Sequence, residues 1–169
     1  MDFQYKGVNM HEQVFSGMKD NLKKYGKGKV LDVGSLQVKS RHNTFRELWG
    51  DYIGTDIVSG ANVDVVCTET LPFTDNSFDT VISGNCFEHC ENPFALIKEI
   101  ERVLKPKGYF IGVAPRHWPD HHRPDCWRIL PDGWNALIKY AKLTFVTTYV
   151  VDHSSENGRF ADCWGIAQK

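Results

Sequence analysis

The chain has 169 residues, 41% hydrophobic, 12% aromatic and 24% charged, with a formal net charge of −1. A chain of this length buries roughly 70% of its unfolded surface, enough for a core without disulfide or metal staples, and the composition excludes disorder, collagen-like repeats and coiled coil. The near-zero charge argues against a surface made for nucleic acid or anionic lipid.

Met1–Gln13 lacks a basic start followed by an apolar run, so no secretory signal is expected. No stretch approaches the ~20 apolar residues that a membrane span needs. Five cysteines (Cys67, Cys86, Cys90, Cys126, Cys163), odd in number and without a Cys-x-x-Cys pair, read as reduced thiols in a cytoplasmic protein.

In chain order, Val14, Phe15, Met18, Leu22 and Tyr25 form a helical stripe over His11–Tyr25, which Gly26 and Gly28 can end. Lys29–Val33 is an apolar run broken by Gly34 and Ser35, a buried strand. His42–Trp49 reads as a short helix with Phe45, Leu48 and Trp49 facing inward. Tyr52–Asp56 and Val63–Val66 are two more strands, and Phe78–Ser83 a fourth after the turn signal Asp75-Asn76-Ser77. Asn92 caps and Pro93 starts the clearest helix, with Phe94, Ile97, Ile100, Val103 and Leu104 along one face. Lys105–Gly108 stops it, and Tyr109–Ala114 resumes as a strand. Arg116–Arg128 is a polar, aromatic, histidine-rich loop. Pro131–Ala141 is a helix with Trp134, Leu137 and Ile138 inward. Leu143–Val151 and Ala161–Ala167 are the last strands, joined through Ser154–Gly158.

Alternation of strands and helices implies an α/β fold with right-handed crossovers. The expected architecture is a Rossmann-like, mostly parallel seven-stranded sheet with a C-terminal antiparallel hairpin and helices on both faces.

In such a sheet the ligand crevice lies beyond the carboxyl ends of the strands, where strand order reverses. Val30-Leu31-Asp32-Val33-Gly34-Ser35 places a glycine at the first strand's end, and Tyr52-Ile53-Gly54-Thr55-Asp56-Ile57 places an acid at the second's. Gly34 and Asp56 fit a close backbone approach and a carboxylate that accepts from a ribose diol. The first loop holds one glycine instead of Gly-x-Gly-x-x-Gly, which fits a ribose without a pyrophosphate, as in S-adenosylmethionine.

Further segments follow: Leu71-Pro72-Phe73-Thr74-Asp75-Asn76-Ser77-Phe78-Asp79-Thr80-Val81-Ile82-Ser83, Phe87-Glu88-His89, and Glu99-Ile100-Glu101-Arg102-Val103-Leu104-Lys105-Pro106-Lys107-Gly108. Across Lys29–Ala114 the sequence resembles the class I S-adenosylmethionine-dependent methyltransferases, in particular the type 11 methyltransferase domains. The resemblance implies one domain over 1–169, with an N-terminal helix or lid (1–28), a cofactor-binding core (29–114), and an acceptor loop, helix and hairpin (115–169). It implies that Gly34 and Ser35 lie against the methionine and ribose, with Asp56 on the ribose hydroxyls and Ile57 on the adenine face. Cys67 and Thr68 would meet the adenine edge, and the Ser83 carbonyl the methionine ammonium. Asp32 either belongs to this site or braces the loop through backbone amides. The sequence departs from the family where Cys67-Thr68-Glu69-Thr70 replaces the acidic residue common before Leu-Pro-Phe.

The loop Pro115–Arg128 resembles the His…Pro…Asp-aromatic-Trp-Arg segment of type 11 enzymes, many of which serve sugar pathways. A hydroxyl acceptor must lose a proton, and the candidate base is His121, with His117 and His89 behind it. Asp125, Trp127 and Arg128 are candidate substrate-binding residues. A structural reading of the same residues pairs Asp125 with Arg128 and packs Trp127 in the core. His117, His121, His122, Asp125 and Cys126 match no closed zinc pattern, so no metal is expected.

The expected activity is O-methylation of a small-molecule or sugar-type acceptor, with S-adenosylmethionine as donor and S-adenosylhomocysteine as product. The alternative is a non-catalytic or partner-dependent cofactor-binding scaffold. A homodimer or partner protein that completes the acceptor site is compatible with both. Ser83-Gly84-Asn85-Cys86 lacks the Asn/Asp-Pro-Pro-aromatic tetrad of DNA amino-methylating enzymes, which argues against nucleic acid.

Overall fold

The computed structural model describes residues 10–39, 43–153 and 160–169. His42, the expected start of the short helix, and the Ser154–Gly158 connection lie outside them. The strands are β1 (Val30–Val33), β2 (Tyr52–Asp56), β3 (Val65–Val66), β4 (Phe78–Gly84), β5 (Leu104–His117), β6 (Thr144–Asp152) and β7 (Ala161–Gln168). They form one sheet in the order β3-β2-β1-β4-β5-β7-β6, with β7 antiparallel to both β5 and β6 and the other pairs parallel. Order reverses between β1 and β4, so a crevice opens where these two strands end.

The period of two along each strand sorts side chains to two faces. Val30, Ile82, Ile111 and Trp164 pack under α1 (Met10–Tyr25), which contributes Val14, Met18 and Leu22. Leu31, Val81, Phe110 and Ala167 face α2 (Pro93–Val103) and α3 (Pro131–Tyr140), with Ile97, Ile100 and Trp134. Because helices cover both faces, all four residues of β1 are buried. Trp134 lies against β7 at Gly165, where a Cβ would stand 2.6 Å from the indole, and its Nε1 donates to the Cys163 carbonyl at 3.0 Å. Among the described residues no helix is long and apolar enough to cross a membrane.

Three expectations change. Phe94 is 40% exposed, and Leu96 takes the inward place beside Ile97, Ile100 and Val103. At 100° per residue Phe94 sits roughly 120° from the centre of that stripe, and its ring meets Tyr140 of α3 edge-on at 5.1 Å. The short helix is a 3₁₀ turn over Phe45–Leu48 with no fully buried residue. Phe45 stacks on Phe15, and Trp49 Nε1 donates to the Gly28 carbonyl at 2.6 Å. β5 begins at Leu104, which pairs with Phe78 before a register shift brings Tyr109 opposite Thr80. Lys105–Gly108 is therefore an excursion within the strand, with Lys107 at φ 66, tied to the end of β7 by Lys107 N–H on the Lys169 carbonyl.

Candidate functional site

The β1 loop turns sharply at Gly34, whose φ of 83 is open to glycine without strain. The Gly34 and Ser35 amides both donate to the Thr55 carbonyl, at 2.8 and 2.9 Å, and fold the loop over the end of β2. A Cβ on Gly34 would lie 2.5 Å from Cys86 Cβ, so the loops after β1 and β4 are in contact across the crevice. Asp56 ends β2 and accepts from the Leu36 amide at 3.1 Å and the Val58 amide at 3.3 Å. Two of its roughly four acceptor positions are thereby used. Ile57, next in sequence, is 67% exposed. The Cys67 amide donates to the Asp56 carbonyl at 2.9 Å, which brings Cys67 and the exposed Thr68 to the same rim. Ser83 is buried, and its hydroxyl donates to the Val33 carbonyl at 2.9 Å, binding β4 to β1.

Beneath this loop lies a polar network that the sequence reading missed. Asn62, at φ 72, donates from Nδ2 to the Ser35 carbonyl at 2.8 Å and the Tyr52 hydroxyl at 3.0 Å. Its own carbonyl accepts from the Ser35 hydroxyl at 3.0 Å. Tyr52 in turn donates to Asp32. Arg46 donates to Asn62 Oδ1 at 2.9 Å and to Asp64, and its guanidinium lies over the Tyr52 ring. Burial pushes the Asp32 carboxyl up to about 7, and its Oδ1 has no partner among the described residues. Asp32 and Ser35 are candidates from the sequence; of the other members only Asn62, an asparagine in a turn that needs positive φ, carried a sequence signal.

The acceptor-side loop is anchored on a second 3₁₀ turn, Phe87–His89. The carbonyl of Glu88 accepts from the Cys126 and Trp127 amides at 2.7 and 3.2 Å, and Trp127 Nε1 donates to the Cys90 carbonyl at 2.7 Å. Arg128 grips Asp125 with both terminal nitrogens, at 2.6 and 2.8 Å, and donates to the carbonyls of Trp118, Pro119 and Trp127. All five of its N–H groups are thus engaged, and none is left for a substrate anion. Asp125, 1% exposed in its side chain, is held well below the usual carboxylate range by the Arg128 guanidinium. Trp127, by contrast, is 42% exposed and not a core residue.

Asp125 also accepts from the His121 amide at 2.9 Å, and its Oδ2 lies 3.3 Å from His121 Nδ1. Desolvation lowers the His121 pKa despite the pull of Asp125, so the ring is neutral at pH 7. The ring of His89 meets that of His121 at 5.0 Å between centroids. His117 ends β5 at an exposed position, opposite Ala161. The Glu88 side chain, 1% exposed, reaches the two rings: one ligand atom each from Glu88, His89 and His121 lies within 4.8 Å of the other two. Burial raises the Glu88 carboxyl to about 8. The Glu-His dipeptide is visible in the sequence, but not its convergence with a residue 32 positions on.

Residues 31–112 match the family model described as "Methyltransferase domain". A malonyl-[acyl-carrier protein] O-methyltransferase of a Marinomonas species is 42% identical over 82 residues, 48% of this chain and 24% of its own length. The chain spans less than a third of the length of the first curated relatives it matches. The YcgJ protein of Bacillus subtilis superposes with a TM-score of 0.71 at 18% identity, covering 94% of this chain and 99% of that one. A Burkholderia thailandensis 1,6-didemethyltoxoflavin-N1-methyltransferase, solved with bound 1,6-didemethyltoxoflavin and S-adenosylhomocysteine, gives a TM-score of 0.69 at 14% identity over 94% of this chain and 77% of that one. At those identities the structures share the fold. The match over 31–112, just under half of the chain, identifies a methyltransferase domain there, and the superpositions show that the chain has the fold of those structures.

Proposed function

We propose that the chain binds S-adenosylmethionine in the crevice between β1 and β4 and methylates a hydroxyl of a small-molecule or sugar-type acceptor. The observation that carries this reading is the meeting of Gly34 and the half-used Asp56 carboxylate at the point where strand order reverses. The residues present fit such a ligand. Gly34 and Ser35 leave room for the methionine and ribose, and Asp56 has acceptor positions for the ribose diol. Ile57 offers an exposed apolar face to the adenine, with Cys67 and Thr68 at its edge. The Ser83 carbonyl would take the ammonium, and the unpartnered Oδ1 of Asp32 lies beneath the same loop.

When bound, S-adenosylmethionine supplies an electrophilic methyl carbon on its sulfonium. The protein must then hold the acceptor in line and take its proton. His121 is the base of this proposal: its ring is neutral, and Asp125 stands behind Nδ1, so Nε2 is the nitrogen that receives the proton. His89 lies against it, and exposed Trp127 offers a flat apolar surface to an acceptor. His117 sits on the rim, where a second copy or partner protein has room to complete the acceptor side. All five cysteines are free thiols, which fits a cytoplasmic setting.

Calorimetric titration with S-adenosylmethionine and S-adenosylhomocysteine tests the site. Micromolar binding of both supports it and justifies screening sugar acceptors for methyl transfer. Absence of binding at millimolar ligand overturns it.

A further inference from the structure

We propose that Glu88, His89 and His121 form a binding site for a divalent transition-metal ion of the Zn²⁺ or Co²⁺ type. The three side chains already converge: their ligand atoms lie within 4.8 Å of one another, with His89 Nε2 3.7 Å from Glu88 Oε1. The hydrogen bonds on the far side of the rings favour metal binding. His89 Nδ1 lies 2.6 Å from the Pro124 carbonyl, which can only accept, so this nitrogen carries the proton and Nε2 the lone pair. His121 Nδ1 faces Asp125 at 3.3 Å and the Pro119 carbonyl at 3.4 Å, with the same consequence. A carbonyl or carboxylate behind each imidazole is the arrangement that orients histidine ligands and raises their basicity.

Glu88 supplies the second line of evidence. Its carboxyl is 1% exposed, yet Oε2 has no hydrogen-bond partner among the described residues. A buried polar atom of that kind is costly unless something outside the chain satisfies it. Two imidazoles and one carboxylate are the donor set of three-ligand catalytic sites, which leave positions open for water or substrate. Metal–ligand bonds of about 2.0–2.2 Å require the ligand atoms to close to roughly 3–3.5 Å. Closing the site calls for a shift of about an ångström, which falls to His121, the exposed member of the three.

Glu88 and His89 lie two and three residues after Cys86, which touches Gly34. The role we assign the ion rests on the methyl-transfer reading: it would bind the acceptor oxygen and lower its pKa. The use of His121 Nε2 as a metal ligand excludes its use as a base, so with the ion bound the acidified acceptor hydroxyl would pass its proton to solvent water.

The test is titration of the full chain with ZnCl₂ and with MgCl₂ by calorimetry and with CoCl₂ by visible absorption, for wild type, His121→Ala and Glu88→Gln. Expected are one ion per chain, ligand-field bands without a thiolate charge-transfer band, and affinity at least ~100-fold lower in His121→Ala. His121 is solvent-facing, so its variant folds even where Glu88→Gln does not. Failure to bind either ion stoichiometrically, a thiolate band, unchanged binding in His121→Ala, or Mg²⁺ binding as tight as Zn²⁺ overturns the site. S-adenosylmethionine titration of the same samples separates the proposals: intact cofactor binding without metal binding overturns the metal site alone, and the reverse overturns the cofactor reading alone.

Discussion

Tyr52 donates its hydroxyl to Asp32 Oδ2 at 2.5 Å, across adjacent strands β1 and β2, with both side chains buried. Burial pushes Asp32 up to about 7, so the folded protein holds a proton there that the unfolded chain releases near pH 4. The folded state binds more protons at Asp32 over that interval, so the contribution of this pair to stability is greatest below about pH 4 and is lost as pH rises through 7. The unfolding free energy of wild type minus that of Asp32→Asn should fall from pH 4 to pH 8, by at most about 4 kcal/mol. Urea unfolding across this range measures it. A difference that grows with pH would refute the protonated pair.

Asp56 is the residue on which cofactor affinity should depend most. Hydrogen bonds to a charged group contribute about 1.5–3 kcal/mol each, so loss of two to a ribose diol predicts a Kd for S-adenosylhomocysteine raised ~10²-fold or more in Asp56→Ala. Far-UV circular dichroism should stay unchanged, because among the described residues only the Leu36 and Val58 amides lose a partner. Near-wild-type affinity would remove Asp56 from the ribose.

Gly34→Ala meets two obstacles at once. Its φ of 83 disfavours an L side chain by about 1–2 kcal/mol, and the added methyl meets Cys86 Cβ at 2.5 Å. We expect a lower melting temperature together with weaker cofactor binding. Gly34→Ala/Cys86→Gly should recover only the part due to the contact.

Arg128 separates bracing from substrate binding. If its role is to hold the loop, Arg128→Ala should destabilise the protein by about 1.5–3 kcal/mol and speed amide exchange over residues 117–128. Cofactor affinity should not change. A variant with native exchange rates and a raised acceptor KM would return Arg128 to the substrate.

Much of the fold was legible because it follows from periodicity. The runs Lys29–Val33 and Phe78–Ser83 and the cap Asn92-Pro93 each agree with the element formed. Phe94 was misplaced because it follows Pro93 directly, and three-residue spacings drift around a helix of 3.6 residues per turn. Asp56 was readable because a strand ending in an acid at a sheet's carboxyl edge is a local pattern. The Asp125–Arg128 pair was equally local, but the carbonyls of Trp118 and Pro119 that occupy the rest of the guanidinium depend on how the loop closes. Glu88 carried no sign of its role, since nothing in its neighbourhood predicts burial beside a histidine from the far loop. Arg46 was invisible for the same reason: Asn62, Asp64 and Tyr52 come together around it only in the folded chain.

The place of β7 between β5 and β6 imposes an order of assembly. β6 precedes β7 in the chain but among the described residues has no sheet neighbour except β7, so on a ribosome it must wait unpaired until β7 emerges. Trp134, made earlier still, can lie on Phe87, Phe110 and Gly112, but its Gly165 side stays open until β7 arrives. The half of the sheet that holds Gly34 and Asp56 can close during synthesis, while the other half closes only when the last strand slides in beside β5.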